Sequence, residues 1–126
     1  MLRKTIQIDG IDVEFKCSAA VLRLYRMKFG RDMLKDMNKL YASFNANGNA
    51  ENSQIPIEDL ELFENVAYIM AYHANPSAIS ENVEDWLEQF NMFSIYEVVP
   101  TIFELWGLNI ESQSEAKKNI QTLTEK

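Results

Sequence analysis

The 126-residue sequence contains one cysteine, Cys17, and one histidine, His73. A single cysteine cannot form an intramolecular disulfide, which suits a reducing cytosol. A zinc site takes about four ligands, mostly Cys and His, and the sequence does not supply them. We therefore expect no metal and no cofactor. We interpret Cys17 as a buried packing residue and His73 as a core or capping residue.

The four glycines form neither a phosphate-binding loop nor a dinucleotide fingerprint, and no serine lies in a Gly-x-Ser-x-Gly motif. Acidic residues are plentiful, but Glu58, Asp59, Glu61 and Glu64 are interpreted as a solvated face that complements the dipole at a helix start. The sequence offers no catalytic constellation, so we expect a protein that is not an enzyme.

No apolar run approaches the roughly 18 residues that a membrane span needs. The opening residues, MLRKTIQIDG, turn polar directly after two basic residues, which is not typical of a signal peptide. These observations predict a cytoplasmic protein with no membrane contact.

Basic residues are missing from residues 40–116, which contain thirteen acidic residues, whereas residues 1–39 contain nine basic and five acidic ones. Because acids dilute the basic residues and the net charge is −7, nucleic acid is not an expected partner. The segregation has two interpretations. Either the two halves attract each other within one folded chain, or they direct head-to-tail self-association or docking on charged partners.

What the sequence does contain predicts an α+β fold that is mainly α, with an N-terminal β-hairpin packed on about five helices. Residues 4–17 read as the hairpin, because Asp9-Gly10 is a two-residue turn between segments of alternating polarity. This turn places Ile8 opposite Ile11 and Ile6 opposite Val13 on one apolar face. Phe15 continues that face.

Helix boundaries follow from capping chemistry. Ser18 is expected to start a helix that Gly30 stops, and Asp32 to start a second one with an apolar stripe. The stripe contains Met33, Leu34, Met37, Leu40, Tyr41 and Phe44. A polar loop is predicted at 45–54.

Pro56 is expected to open a long helix that is apolar all round between Val66 and Tyr72, which indicates a central buried helix. Ser80 or Asn82 then caps a short helix. Ser94 and Glu97 form a capping-box pattern for a last helix, with a bend predicted at Pro100 and an end at Gly107. Residues 1–108 are predicted to be one globular domain, and 109–126 a polar tail that is flexible or a frayed helix.

The aromatic stretch 86–106 and the basic residues near the N-terminus are the candidate protein-binding features. Large aromatic side chains and arginines dominate the energetics of protein interfaces. The candidate contact residues are Arg23, Arg26, Arg31, Trp86, Phe93, Tyr96 and Trp106.

Residues 15–37, FKCSAAVLRLYRMKFGRDMLKDM, carry Phe-x-x-Ser-Ala followed by Tyr-Arg-x-x-Phe-Gly-Arg-Asp. This pattern resembles the opening of tail assembly chaperones from long-tailed phages and prophages of Gram-positive bacteria. Residues 62–76 and 83–106 resemble later segments of the same family, in order and spacing. The resemblance covers about residues 5–107.

The resemblance implies a non-enzymatic late phage protein in the bacterial cytoplasm that is absent from the mature virion. It implies binding to the long helical tape measure protein, recruitment of the tail tube protein, and self-association. The alternative is a small acidic regulatory or inhibitory protein that binds one globular host or phage enzyme.

Overall fold

The N-terminal hairpin consists of β1 (Leu2–Ile8) and β2 (Ile11–Cys17), paired antiparallel with Ile8 opposite Ile11 and Ile6 opposite Val13. Asp9 and Gly10 both have positive φ values, 52° and 80°. A type I′ turn requires this backbone geometry and matches the twist of the two strands. The computed structural model describes residues 2–46, 57–92 and 94–107. The predicted hairpin and its register are confirmed.

One face of the hairpin belongs to the core. Ile8, Val13 and Phe15 are buried, and β2 packs along the central helix α3 (Ile57–Ala74). A lone two-stranded hairpin is marginally stable in water. Its stability here therefore depends on the apolar surface that it shares with α3.

The first two helices are α1 (Ala19–Phe29) and α2 (Met33–Ala46). Ser18 caps α1 by accepting the Ala20 N–H at 3.3 Å, and Gly30 ends it in the left-handed conformation with φ 67°. The Asp32 carboxylate accepts the Leu34 N–H at 2.9 Å at the start of α2. All three predicted caps are confirmed, and together they fix the turn between α1 and α2.

The apolar stripe predicted for α2 is only half correct. Met33, Met37 and Leu40 are buried, but Leu34 is 49% exposed and Tyr41 58% exposed. A helix on the surface of a domain buries a stripe rather than a half-cylinder. Leu34 and Tyr41 lie one residue beyond that stripe, about 100° round the helix. The side chain of Phe44 lies outside the described residues.

The central helix α3 is buried between the hairpin, α1, α2 and α4 (Val83–Leu87). Every side chain from Val66 to Ala71 is buried, as predicted, and Tyr72 is half-buried. Asn82 is the N-cap of α4 and accepts the Glu84 and Asp85 N–H groups. The start predicted at Pro56 lies outside the described residues.

The last segment differs from its prediction. Residues Ser94–Val98 form a 3-10 helix, and an α-helix, α5, occupies residues 99–107. Pro100 therefore lies in the first turn of α5, where a missing N–H is tolerated, and not deep inside one bent helix. The predicted tail 109–126 and most of the predicted loop 45–54 lie outside the described residues. None of the helices that the structure describes has both the length and the apolar character to cross a membrane.

Candidate protein-docking surfaces

The histidine and the cysteine of the chain are both held by the fold, one in a hydrogen bond and the other by burial. The Ser18 hydroxyl lies 2.7 Å from Nε2 of His73, which joins the start of α1 to the end of α3. Burial lowers the pKa of His73, and the nearby Lys16 and Arg3 lower it further, so the imidazole is neutral at pH 7. Burial raises the pKa of the Cys17 thiol to about 11, which makes it a poor nucleophile. In the described part of the chain, no His, Cys, Asp and Glu side chains gather in a set that could hold a metal ion.

Three of the predicted contact residues lie together. Arg23, Arg26 and Arg31 line an open groove of about 530 Å³ formed by α1, the turn after it and the start of α2. Leu22 and the exposed Leu34 supply its apolar surface. We call this the basic groove. Sequence reasoning identified the three arginines, and the structure places them around one apolar depression.

Arg31 has a structural partner. Its Nε and Nη2 donate to the two carboxylate oxygens of Asp36 at 2.8 and 2.9 Å, and Tyr25 Oη donates to Oδ2 at 2.7 Å. Burial alone raises the pKa of Asp36, but the hydrogen bonds from Arg31 and Tyr25 outweigh it and hold that pKa below its ordinary value. Asp36 is buried, so this bidentate pair fixes the guanidinium at the edge of the groove.

Arg23 and Arg26, in contrast, are available to a partner. Both side chains are exposed, and neither forms an ion pair within the described residues. They line the same groove as Leu22 and Leu34. Protein interfaces commonly combine apolar side chains with charged ones in this way.

A second, larger groove of about 810 Å³ lies between α3, α4 and the 3-10 helix. Its apolar surface comes from Phe29, Leu60, Val83, Leu87 and Tyr96. Its charged residues are Glu61, Glu64, Glu81 and Glu84, with Lys28 at one end. We call this the acidic groove.

Sequence reasoning missed the acidic groove because it placed Glu61 and Glu64 on a solvated face of one helix and did not relate them to Glu81 and Glu84. The available signal was the spacing of Glu61 and Glu64, which places them on one side of α3. Lys28 is already engaged, since its ammonium donates to the Glu81 carbonyl oxygen and lies over the Tyr68 ring, 5.9 Å from the centroid.

The prediction that Trp86 is an exposed contact residue is wrong. Trp86 is 1% exposed, and its ring lies edge-on to Tyr68 and Phe90 at centroid distances of 5.7 and 5.2 Å. A five-residue helix has only one face to bury, and in α4 the largest apolar side chain occupies it. Trp86 therefore anchors α4 to α3.

The other aromatic candidates differ in position. Tyr96 is half-buried, lines the acidic groove, and donates its hydroxyl hydrogen to Glu64 at 2.5 Å. Trp106 on α5 is half-buried and packs against the core. Phe93 lies outside the described residues. The structure therefore does not bring Tyr96 and Trp106 to the basic groove.

The predicted solvated face of α3 also needs correction, since Glu64 is half-buried and bonded to Tyr96 and a second carboxylate is buried. Asp59 is buried, and its Oδ1 lies 3.4 Å from Nζ of Lys39 on α2. Glu58 and Glu61 are exposed, as predicted. Buried carboxylates are uncommon unless they are paired, and here the pair connects α2 to α3.

Comparisons of the chain with protein-family models, with curated proteins and with solved structures find no match. In the described part of the chain, two open grooves each combine an apolar surface with charges of one predominant sign.

Proposed function

We propose that this protein is a tail assembly chaperone of a long-tailed phage or prophage. In this role it is not an enzyme: it binds the tape measure protein, keeps that long helical protein soluble and extended, and helps to recruit tail tube subunits. It acts in the cytoplasm of the host bacterium and does not remain in the mature virion. The proposal starts from the resemblance of three segments, 15–37, 62–76 and 83–106.

The packing of these segments supports the proposal. A continuous row of ring contacts runs from Tyr25 to Phe29, Tyr68, Trp86 and Phe90, with centroid distances between 5.0 and 6.4 Å. The row joins α1, α3 and α4, which come from the three segments that carry the resemblance. Three segments that resemble one family in order and spacing are expected to pack together in the fold. The ring contacts show that these three segments pack against one another.

The observation that carries the client-binding part of the proposal is the basic groove. Leu22 and Leu34 line it together with Arg23 and Arg26, which form no ion pair with another described residue. A groove of this kind accepts one face of an amphipathic helix, the secondary structure expected of the client.

Co-expression with a tape measure protein tests the function. We expect the tape measure protein to stay in the supernatant as a complex with several copies of this protein. Arg23→Glu with Arg26→Glu is expected to reduce the recovered complex at low salt, while Lys35→Glu, an exposed reversal outside the groove, is not. A tape measure protein that precipitates equally with and without this protein contradicts the proposal.

The acidic groove favours a second candidate function, an inhibitor or regulator of one globular enzyme. Glu61, Glu81 and Glu84 line this groove together with apolar side chains, a combination that suits a basic surface on an enzyme. This role predicts a discrete 1:1 or 2:2 complex and no requirement for a long helical client. Light scattering of the purified complex separates the two functions by stoichiometry.

A further inference from the structure

We infer that the acidic groove is covered by a segment of the same chain, residues 116–124. This segment, AKKNIQTLT, lies outside the described residues, and we call it the lysine segment. The inference concerns how one molecule covers its own surface, so it is independent of any chaperone role. It means that another partner reaches the acidic groove only by displacing the lysine segment.

The acidic groove leaves apolar surface uncovered in the described part of the chain. Its apolar side chains are half-buried and come from α1, α3, α4 and the 3-10 helix: Phe29, Leu60, Val83, Leu87 and Tyr96. The groove measures about 810 Å³, which is the size of sites that enclose a ligand. An occupant that covers these side chains gains most if it brings apolar groups of its own.

The carboxylates of the groove have no counter-ion among the described residues. Glu61, Glu81 and Glu84 are exposed and form no ion pair there. Lys28, at one end of the groove, is engaged with the Glu81 carbonyl oxygen and lies over the Tyr68 ring. The occupant is therefore expected to carry cations as well as apolar side chains.

The lysine segment meets both requirements. No Lys or Arg occurs between Lys39 and Lys117, so Lys117 and Lys118 begin the basic stretch that follows the groove residues in the chain. Ile120 and Leu123 come shortly after them, and the segment contains no acidic residue. Two cations next to two large apolar side chains complement a groove that combines carboxylates with apolar surface.

The place at which the described chain ends puts the lysine segment within reach of the groove. Tyr96 lines the groove, and the 3-10 helix and α5 take the chain from there to Gly107. These helical residues rise about 18 Å in total. The roughly ten residues from Gly107 to Lys117 span up to about 33 Å when extended. The second length exceeds the first, so Lys117 can return to the groove without any rearrangement of the domain.

The covalent connection favours docking within one molecule over docking between copies. A short connection gives the lysine segment an effective concentration at the groove on the order of millimolar. Two exposed ion pairs and a small apolar contact form a weak interaction. Such an interaction is populated at about millimolar concentration and not at the roughly micromolar concentration of a dilute sample.

A spin label at the end of the lysine segment tests the inference in the full chain. Thr124→Cys provides the attachment site. Cys17 does not compete for the label, because it is buried and burial raises the pKa of its thiol to about 11. The nitroxide broadens the NMR signals of backbone amides that lie close to it. The signals to compare are those of Glu61 and Glu84 in the acidic groove and that of Arg23 in the basic groove.

We expect the amide signals of Glu61 and Glu84 to broaden and that of Arg23 to stay sharp. Lys117→Gln with Lys118→Gln should shift the docking equilibrium about fivefold toward the undocked state, since two exposed ion pairs are lost. The broadening should decrease accordingly, and added salt should decrease it too. Glu61→Gln with Glu84→Gln removes the same pairs from the other side and should have an equal effect.

Two control variants change charge outside the proposed contact. Lys126→Gln lies beyond the lysine segment. Asp85→Asn with Glu88→Gln changes exposed carboxylates of α4 that do not line the groove. Both variants should keep the broadening of the spin-labelled parent, and the dispersion of their amide signals shows that they are folded.

Three results overturn the inference. In the first, the amide signals of Glu61 and Glu84 stay sharp, or broaden no more than that of Arg23. In the second, the broadening is unchanged when Lys117 and Lys118 are replaced by Gln. The third comes from a mixture of a spin-labelled chain without nitrogen-15 and a nitrogen-15 chain without the spin label. Broadening in that mixture would mean that a second copy supplies the lysine segment.

Discussion

The Asp9 carboxylate, in the turn of the N-terminal hairpin, accepts a hydrogen bond from the Ser94 hydroxyl at 2.7 Å, although 85 residues separate them in the sequence. The same carboxylate accepts the Asn91 N–H at 2.7 Å. One side chain therefore connects the hairpin turn to the segment that precedes the 3-10 helix.

Replacement of Asp9 by Asn should destabilise the fold at neutral pH. Hydrogen bonds from the Asn91 N–H and the Ser94 hydroxyl hold the pKa of the exposed Asp9 side chain below its ordinary value of 3.8, although a smaller desolvation effect opposes them. This stabilisation is present above the unfolded-state pKa and is lost as the pH falls through the lower folded-state pKa. The difference in Tm between the wild type and Asp9→Asn should therefore shrink from about pH 7 to about pH 3. If the difference in Tm is the same at every pH, the destabilisation of Asp9→Asn comes from the backbone of the turn and not from the charge of Asp9.

Tyr25→Phe should lower the free energy of unfolding by about 1.5 kcal/mol, since it removes a hydrogen bond to a buried carboxylate. The hydroxyl that is lost donates to Asp36 at 2.7 Å. Tyr41→Phe is the matched control, because the Tyr41 side chain is exposed and the variant should stay within about 0.5 kcal/mol of the wild type. Urea titrations of the three proteins measure the difference, and equal effects of the two substitutions would contradict a special role for Tyr25.

Trp106→Phe should leave a protein whose fluorescence comes from a buried indole. Trp86 is then the remaining tryptophan, and its ring is enclosed by Tyr68 and Phe90. We expect blue-shifted emission that acrylamide quenches weakly. Trp86→Phe, which leaves the half-buried Trp106, should give emission at longer wavelength with stronger quenching. If Trp106→Phe instead gave the longer emission wavelength and the stronger quenching, Trp86 would lie at the surface.

His73→Gln should show a pH-dependent loss of stability. Burial is the main reason that the pKa of His73 lies below 6.5 in the folded state. The unfolded chain therefore binds a proton on His73 more readily than the folded chain does. Neutral His73 makes its full contribution to the free energy of unfolding above the unfolded-state pKa of about 6.5, and this contribution is lost as the pH falls through the folded-state pKa. The difference in Tm from the wild type should narrow between about pH 7.5 and about pH 5.5. A constant difference would mean that His73 does not titrate in this interval.

The elements that the sequence predicted correctly depend on chemistry within a few residues. The Asp9-Gly10 turn needs two residues with positive φ, and Gly30 ends α1 for a similar reason. Ser18 and Asn82 cap helices through N–H groups two or three residues away. These interactions are short in sequence, so a linear pattern contains them.

The wrong predictions concern which side chains are buried, and this depends on how the helices are oriented relative to one another. Asp59 and Trp86 are buried because neighbouring helices cover them, and periodicity along one helix does not define which neighbours pack on it. Leu34 is exposed for the same reason. Arg23, Arg26 and Arg31 could be named as candidates. For the acidic groove the spacing of Glu61 and Glu64 was a partial signal, but the groove also requires the relative placement of α3 and α4, which the sequence pattern does not contain.

Because the hairpin packs on α3, its apolar face is covered only late in the synthesis of the domain. The ribosome makes β1 and β2 first, yet Ile8, Val13 and Phe15 gain their cover only when α3 has been made. During that interval the nascent chain exposes a pair of apolar strand faces, which is a hazard for aggregation. Completion of the hairpin must wait for contacts that are distant in sequence, and such contacts slow folding.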